Sequence, residues 1–454
     1  MGVTEKIARF VVETNFDQIP SQAVDLSKRT ILDCAGLCFA GGTMPAGALA
    51  VQYIKELGGV PEAVVIGKKF RAPAPHAALA NATMISSLNW ADSSFIGNLW
   101  HPTPTLFPAI LSLADKYKIS GKKMIEAHVL GVEVGTRIAA GWLQHYQLGW
   151  LTTTTVGTLV CAVAAAKVLG LDVYQTRMAI GIACDTASGT KQTMGGGMHA
   201  LSAGKAARDG VVAASLAKIG YTGDANGLEG PESISALMTW GKFDLDKMGA
   251  GLGTEFHMTR PSGLSLKFYP CGHLSHWCID ATLQLVAEYT IKSDEVAEII
   301  CEMPATFIET LRYSHPKTAL EAKISVQYPV AAAIIDHEAG EKVFTDEKVM
   351  RPEAQNLIGR IKSVPIAGNP KFAETGEEPN TVIIKLKNGK TYRKTVNFAK
   401  GDIRNPLTES ELSGKFQECA SSVLNANQTQ QALDLLWKLD TLPHLSGLTS
   451  LLMN

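Results

Sequence analysis

Apolar residues recur at helical spacing through most of the first ~260 positions. Ile7, Phe10 and Val11 share one face of a helix that Thr4 can cap and that runs to about Glu13. Pro20-Ser21 opens a second helix through Val24, Ile31, Cys34 and Leu37, and Gly41-Gly42 stops it. A loop at Gly58-Gly59 and a short strand at Val64–Ile66 follow. Further helices are predicted at His76–Leu88, Pro104–Lys118, Lys122–Ala140, Val156–Leu169, Val173–Ala187 and Ala203–Ile219. Many of these faces carry Ala or Gly, which lets backbones approach closely. Beyond Gly263 the pattern turns mixed. Ile279–Ala287 reads as helix, Val296–Met303 alternates like a strand, and Glu321–Ile335 is helical again. Thr381–Lys387 and Thr391–Val396, joined at Asn388-Gly389, form a hairpin signal. Helices return at Glu409–Leu424 and Thr429–Leu439. The pattern predicts a mainly α protein: a large helical domain (1–264), an inserted smaller α+β domain (265–400) and a C-terminal helical return (401–454).

Composition narrows the class. An apolar fraction of 46% can bury enough surface to offset chain entropy, so disorder is excluded. With 42 Lys+Arg against 43 Asp+Glu, no excess of cation exists to neutralise phosphates, and no nucleic-acid partner is expected. No uninterrupted apolar run is long enough to span a bilayer: Val156–Leu171 is broken by Gly157, Thr158 and Lys167 and reads as a buried helix. The first sixteen residues carry Glu5, Lys6 and Arg9 and do not read as a signal peptide, so the expected location is the cytoplasm. The eight cysteines are spread along the chain and read as reduced, buried small residues. The cluster Cys271-Gly-His273-x-x-His276 would still want a fourth ligand to hold zinc, and no metal is expected.

Four stretches could carry chemistry. In Asn89-Trp-Ala-Asp92 through His101-Pro102, an acid and an imidazole share one loop before a helix N-terminus, where free amides favour an anion. The alternative is a turn cap and a hydrogen-bonded histidine. Gly195-Gly-Gly197-Met-His199 leads into a helix bearing Lys205 and Arg208; it fits a carboxylate or phosphate, or simply a tight turn with close helix packing. It is neither a P-loop nor a dinucleotide fingerprint. Lys267-x-x-x-Cys271-Gly-His273-x-x-His276 lies at the domain border, where Lys267 could bind a carboxylate and a histidine could exchange a proton, or where the crossover is merely polar. Gln144-His145-Tyr146 precedes Trp150-Leu151 and the run Thr152–Thr155, whose hydroxyls either cap a helix or hold a carboxylate.

The ordered set of these motifs resembles the MmgE/PrpD family along nearly the whole chain. It includes Arg29–Asp33, Asn89–Asp92, His101-Pro102, Glu126-Ala127, Glu133–Arg137, Thr154–Gly157, Gly204-Lys-Ala-Ala, Leu228–Pro231, Lys267-x-Tyr-Pro-Cys271, Glu321-Ala322 with Tyr328, and Asn405–Thr408. Members include a 2-methylcitrate dehydratase, a cis-aconitate decarboxylase and an iminodisuccinate epimerase. The resemblance implies no metal or organic cofactor, a helical domain with a smaller α+β lid, a homodimer, and a small di- or tricarboxylate substrate. It places Asp92, His101 and Lys267 in the active site and Tyr313 on the lid. Three positions depart from the family pattern. Leu151 stands where dehydratase- and decarboxylase-like members carry histidine, His199 where lysine is usual, and Gly272 displaces a histidine to His273.

These readings give one working expectation. His101 and His199 perform acid–base work, Asp92 orients a histidine, and Tyr146 serves the opposite face. Lys267 holds carboxylates with Lys191, Arg208, His273, Tyr313 and Thr155. The reaction removes an α-proton from a polycarboxylate, and the departures favour an epimerase. A dehydratase, hydratase or decarboxylase is the alternative, and a carboxylate-binding member without turnover is the third reading.

Overall fold

The computed structural model describes residues 1–454, save the side chain at position 373. The chain is mainly α. Nine helices build the first half: α1 (Val3–Glu13), α2 (Ser21–Gly41), α3 (Pro45–Leu57), α4 (Ala74–Ser87), α5 (Thr103–Ala114), α6 (Gly121–Gly141), α7 (Thr152–Leu169), α8 (Val173–Thr186) and α9 (Gly197–Lys218). Helix α7 is long and apolar enough to cross a bilayer, but almost all of it is buried among its neighbours. It packs against α9, which also packs against α4. Two glycines permit this. A methyl on Gly204 would collide with the Leu79 carbonyl of α4, and one on Gly210 with Cys161 of α7.

Strands β1 (Ala63–Val65) and β2 (Phe70–Ala72) pair antiparallel beside α4. A second, mixed sheet has the order β4-β3-β5-β6, from β3 (Val296–Pro304), β4 (Ile361–Ile366), β5 (Asn380–Leu386) and β6 (Thr391–Val396). Only β3 and β4 run parallel. The β5–β6 hairpin turns at Asn388-Gly389, where Gly389 takes a φ of 87°.

Two apolar cores follow from this order. One collects residues from Val3 to Leu266 and again from Leu407 to Leu452. The other runs from Tyr269 to Ala399 and includes Phe95. The helix Glu409–Ala420 packs on α2. Its Lys415 Nζ lies 2.7 Å from Asp33 Oδ1 of α2 and donates to the carbonyls of Trp90 and Lys267, each at 3.0 Å. One buried ammonium thus ties three distant segments together where the two cores meet.

Local details differ from the sequence reading. Gly2, not Thr4, occupies the N-cap of α1; the Thr4 hydroxyl is drawn to Glu229. Helix α3, which buries only Gly47, Ala50 and Ile54, and the short strands β2 and β4 are additional to the elements the sequence pattern predicts. The single helix expected over Glu321–Ile335 is broken into Ala319–Ala322 and Gln327–Ile335. Between them the Lys323 carbonyl accepts from the Gly272 amide, and the Ser325 hydroxyl accepts from the Tyr328 amide, so tertiary pairing outcompetes the helical ladder.

Removing Lys415 should leave Asp33 as an uncompensated buried charge. Lys415→Met is expected to cost about 3–5 kcal/mol at pH 7 by urea midpoint. Burial already pushes the Asp33 carboxyl above its ordinary range despite Lys415. Protonation then relieves the variant, so its deficit should shrink at pH 4 and in the Asp33→Asn/Lys415→Met double variant.

Candidate active site

Three long helices begin around one cavity. His101 immediately precedes the start of α5, Thr153 sits in the first turn of α7, and His199 in the first turn of α9; all three side chains line the cavity with Asn89, Ala203 and Lys267. The N-cap positions of α7 and α9 are Leu151 and Gly196, which have no side-chain acceptor to offer the free amides. Without a side-chain cap, the aligned peptide dipoles at these two helix starts make the cavity favourable to negative charge. The α5 start is different: the Asp92 carboxylate accepts from the Thr103 amide at 3.2 Å.

Lys267 is the cation in this cavity. It is 1% exposed, and its Nζ donates to the Asn89 carbonyl (3.0 Å) and side-chain oxygen (2.9 Å). Among the described residues no carboxylate lies within 4 Å of it. Burial without a counter-ion pulls its pKa down to about 7. The ammonium can therefore bind an anion or give up a proton near neutrality. Asn89 holds it from a left-handed backbone, φ 54°, a conformation that Asn tolerates better than most residues. The neighbouring Trp90 indole donates to Phe268 O at 2.9 Å and fastens the same two segments.

The geometry fixes the tautomer of His101. Its Nδ1 lies 2.8 Å from the Asp92 backbone carbonyl, which can only accept, so Nδ1 carries the proton. Ser93 Oγ flanks the same nitrogen at 3.1 Å. Nε2 is left with a bare lone pair. Burial and the nearby Lys267 keep the imidazole neutral, with its pKa well below the ordinary value. Asp92 thus orients His101 through its main chain, whereas the sequence reading assigned that task to the carboxylate. The carboxylate itself caps α5, and burial raises its pKa to about 7.

The other expected residues divide. His199 lines the cavity and its neck, with desolvation holding its pKa near 4. Tyr146 is partly buried beneath Lys191, whose Nζ sits 3.8 Å from the ring centre; burial pushes the phenol up to about 12. Tyr313 donates to the Met194 carbonyl at 3.3 Å and packs on an apolar cluster of Leu151, Met194 and Ile324. His273 stands behind the cavity, ring to ring with His276 at 4.6 Å and Phe95 at 5.1 Å.

Two expected carboxylate holders are engaged elsewhere. Arg208 pairs with Asp209 at 2.7 Å and lies outside the cavity lining, because it falls beyond the helical turns that reach the cavity. Thr155 is fully buried, its hydroxyl held by His145 at 2.8 Å. Within the same threonine run it is Thr153 that reaches the cavity, accepting from the His101 amide at 3.0 Å. Sequence reasoning also missed Asn89 as the Lys267 anchor and Lys415 as the clamp beneath it. The Asn in a helix-ending Leu-Asn-Trp was a signal for the first. The second had no local signal.

Cys271 has its thiol pushed up to about 11 by burial. All eight cysteines are free. Among the described residues no three His, Cys, Asp or Glu side chains converge as metal ligands would.

Fold and cavity together define a mainly α protein with lysine and histidine gathered at helix N-termini, an arrangement suited to proton transfer on a small anion. The chain belongs to the MmgE/PrpD family: the model of the MmgE/PrpD N-terminal domain matches residues 5–246, and that of the C-terminal domain matches residues 269–440. Its relatives include proteins named cis-aconitate decarboxylase. The one from Mus musculus is 25% identical, covering 99% of this chain and 93% of the relative. That from Homo sapiens is 26% identical (99% and 94%), and that from Aspergillus terreus 26% (99% and 96%).

The buried lysine makes stability depend on pH. Its folded pKa of about 7 lies below the ordinary 10.5. The cost of burying its charge is therefore full below pH 7 and disappears as pH rises from 7 to 10.5. Lys267→Met should melt higher than the parent at pH 6, and the gap should narrow steadily toward pH 10 in calorimetry.

Proposed function

We propose that this chain is a lyase acting on a small polycarboxylate, cleaving a bond at a carbon beside one of the carboxylates. The observation that carries this reading is the bare Nε2 of a neutral His101 beside the uncompensated Lys267, at the open N-termini of α7 and α9. The names of the relatives support a lyase over an epimerase.

The chemistry follows from charge. For elimination, His101 Nε2 accepts the α-proton, and the electron pair delocalises into the carboxylate as an enolate-like dianion. Lys267 and the helix amides offset that charge. The pair then forms the double bond as hydroxide departs with a proton from the Lys267 ammonium. For decarboxylation, the C–C bond to one carboxylate breaks and carbon dioxide leaves. The electron pair passes into the remaining unsaturated carboxylate, and a proton is delivered to carbon. The epimerase reading keeps one observation: Leu151 is buried in an apolar cluster, so no imidazole acts from that position.

The test is NMR in D2O with cis-aconitate, citrate and 2-methylcitrate. A lyase should change the vinyl signals or release carbon dioxide. His101→Gln should then cut kcat by about 10²–10⁴-fold with KM within threefold, while Lys267→Gln, which removes a cation and the proton donor together, should lower kcat as well as raise KM. Deuterium entering recovered substrate with no lyase product would establish the epimerase instead. Binding without exchange or product would leave only a carboxylate binder. Turnover indifferent to His101→Gln would overturn the assignment of the base.

A further inference from the structure

The cavity continues outward. The inner chamber is small, about 20 Å3, room for one carboxylate-sized group. It shares Ser86, Asn89 and His199 with a neck of about 30 Å3. The neck shares Ala46 and Gly197 with a surface groove of about 290 Å3. The surface end is the apolar one. The inner end has Lys267 and two histidines. The neck keeps Ser86, Asn89 and His199 and adds Ser87, Lys323, whose ammonium is paired with Glu341, and Ile324, backed by Leu151 and Met194. The groove is lined by Ala46, Leu49, Ala50, Tyr53, Met198 and Leu201, together with Gly197, and has no charged side chain. Leu49 is 64% exposed, Tyr53 54% and Met198 46%. At the joint, a Cβ on Gly197 would meet no atom within 4 Å, so the passage is clear.

A polar end that fits one carboxylate, a narrow neck and a broad apolar exit match an elongated amphipathic molecule. We propose that the site takes a carboxylate bearing an unbranched aliphatic chain, with its head at Lys267 and its chain lying through the neck along the α3–α9 groove. This rests on the reading of the inner chamber as a carboxylate site. Physically, each methylene taken out of water should tighten binding severalfold.

The probes are 2-methyl-, 2-butyl- and 2-octylsuccinate, titrated calorimetrically against the whole protein. Affinity should rise at least tenfold from methyl to octyl. Leu49→Asp, at an exposed position, should leave 2-methylsuccinate unaffected and abolish most of the octyl gain. Tyr53→Asp, also exposed in the groove, should do the same. A flat response to chain length overturns the proposal while sparing the inner site. So does an octyl gain that neither variant changes. Sedimentation showing a dimer that Leu49→Asp dissociates, with affinity flat across the series, would assign the groove to a second copy of the chain instead. If none of the succinates binds, the inner-site reading fails as well.

Discussion

Lys415 is the point on which the architecture turns. Its ammonium faces Asp33 of α2, the carbonyl after the α4 turn at Trp90, and the carbonyl of Lys267, at 2.7 to 3.0 Å. Taking a lysine and an aspartate out of water is expensive, and the attraction between them offsets this only in good geometry. The two carbonyls supply the remaining acceptors. The same bonds place Lys267 where it needs to be. Its own carbonyl is held from below, its Nζ is held by Asn89 from above, and the stretch between is buried. The ion pair thus sets the position of a second lysine that has no counter-ion of its own.

That second lysine explains why the cavity suits an anion although the chain carries a net charge of only −1. Long-range steering is weak for such a surface. Within the cavity the histidines are neutral, kept so by burial and by Lys267. What remains is one ammonium poised near neutrality and two uncapped helix starts. Backbone dipoles cost nothing to keep charged and cannot be deprotonated. They persist unchanged across the pH range over which Lys267 titrates.

Much of this was legible in the chain. The amphipathic periods placed eight of the first nine helices, since each packs a continuous apolar face into one core, and Asn388-Gly389 marked its hairpin because few other pairs take that turn. His101, His199 and Lys267 stood out as polar residues beside helix starts or a domain border. What failed was information held by partners far away. Helix α3 exposes Leu49, Tyr53 and Leu57 and buries only Gly47, Ala50 and Ile54, so its large apolar residues do not mark the face that packs. The break after Ala322 depends on Gly272. Arg208 looked like a carboxylate ligand only because its neighbour Asp209, which neutralises it, was not weighed. Thr155 and Thr153 are alike in sequence; they differ in which face of α7 meets His145 and which meets the cavity.

Asp92 shows how little of the scaffold is free to vary. Its carboxylate caps α5 while its carbonyl orders His101, so one residue fixes both the helix that aims at the cavity and the tautomer of the base. A change there would disturb fold and chemistry at once. Leu151, Met194 and Ile324 are of another kind: they meet one another and Tyr313 but hold no helix end or backbone pair through their side chains, and Ile324 among them lines the neck. Such side chains can be exchanged while Asp92, Lys267 and their supports stay in place. Under the proposed function, the inner end sets what reaction is possible, and the neck and the groove set which carboxylate reaches it.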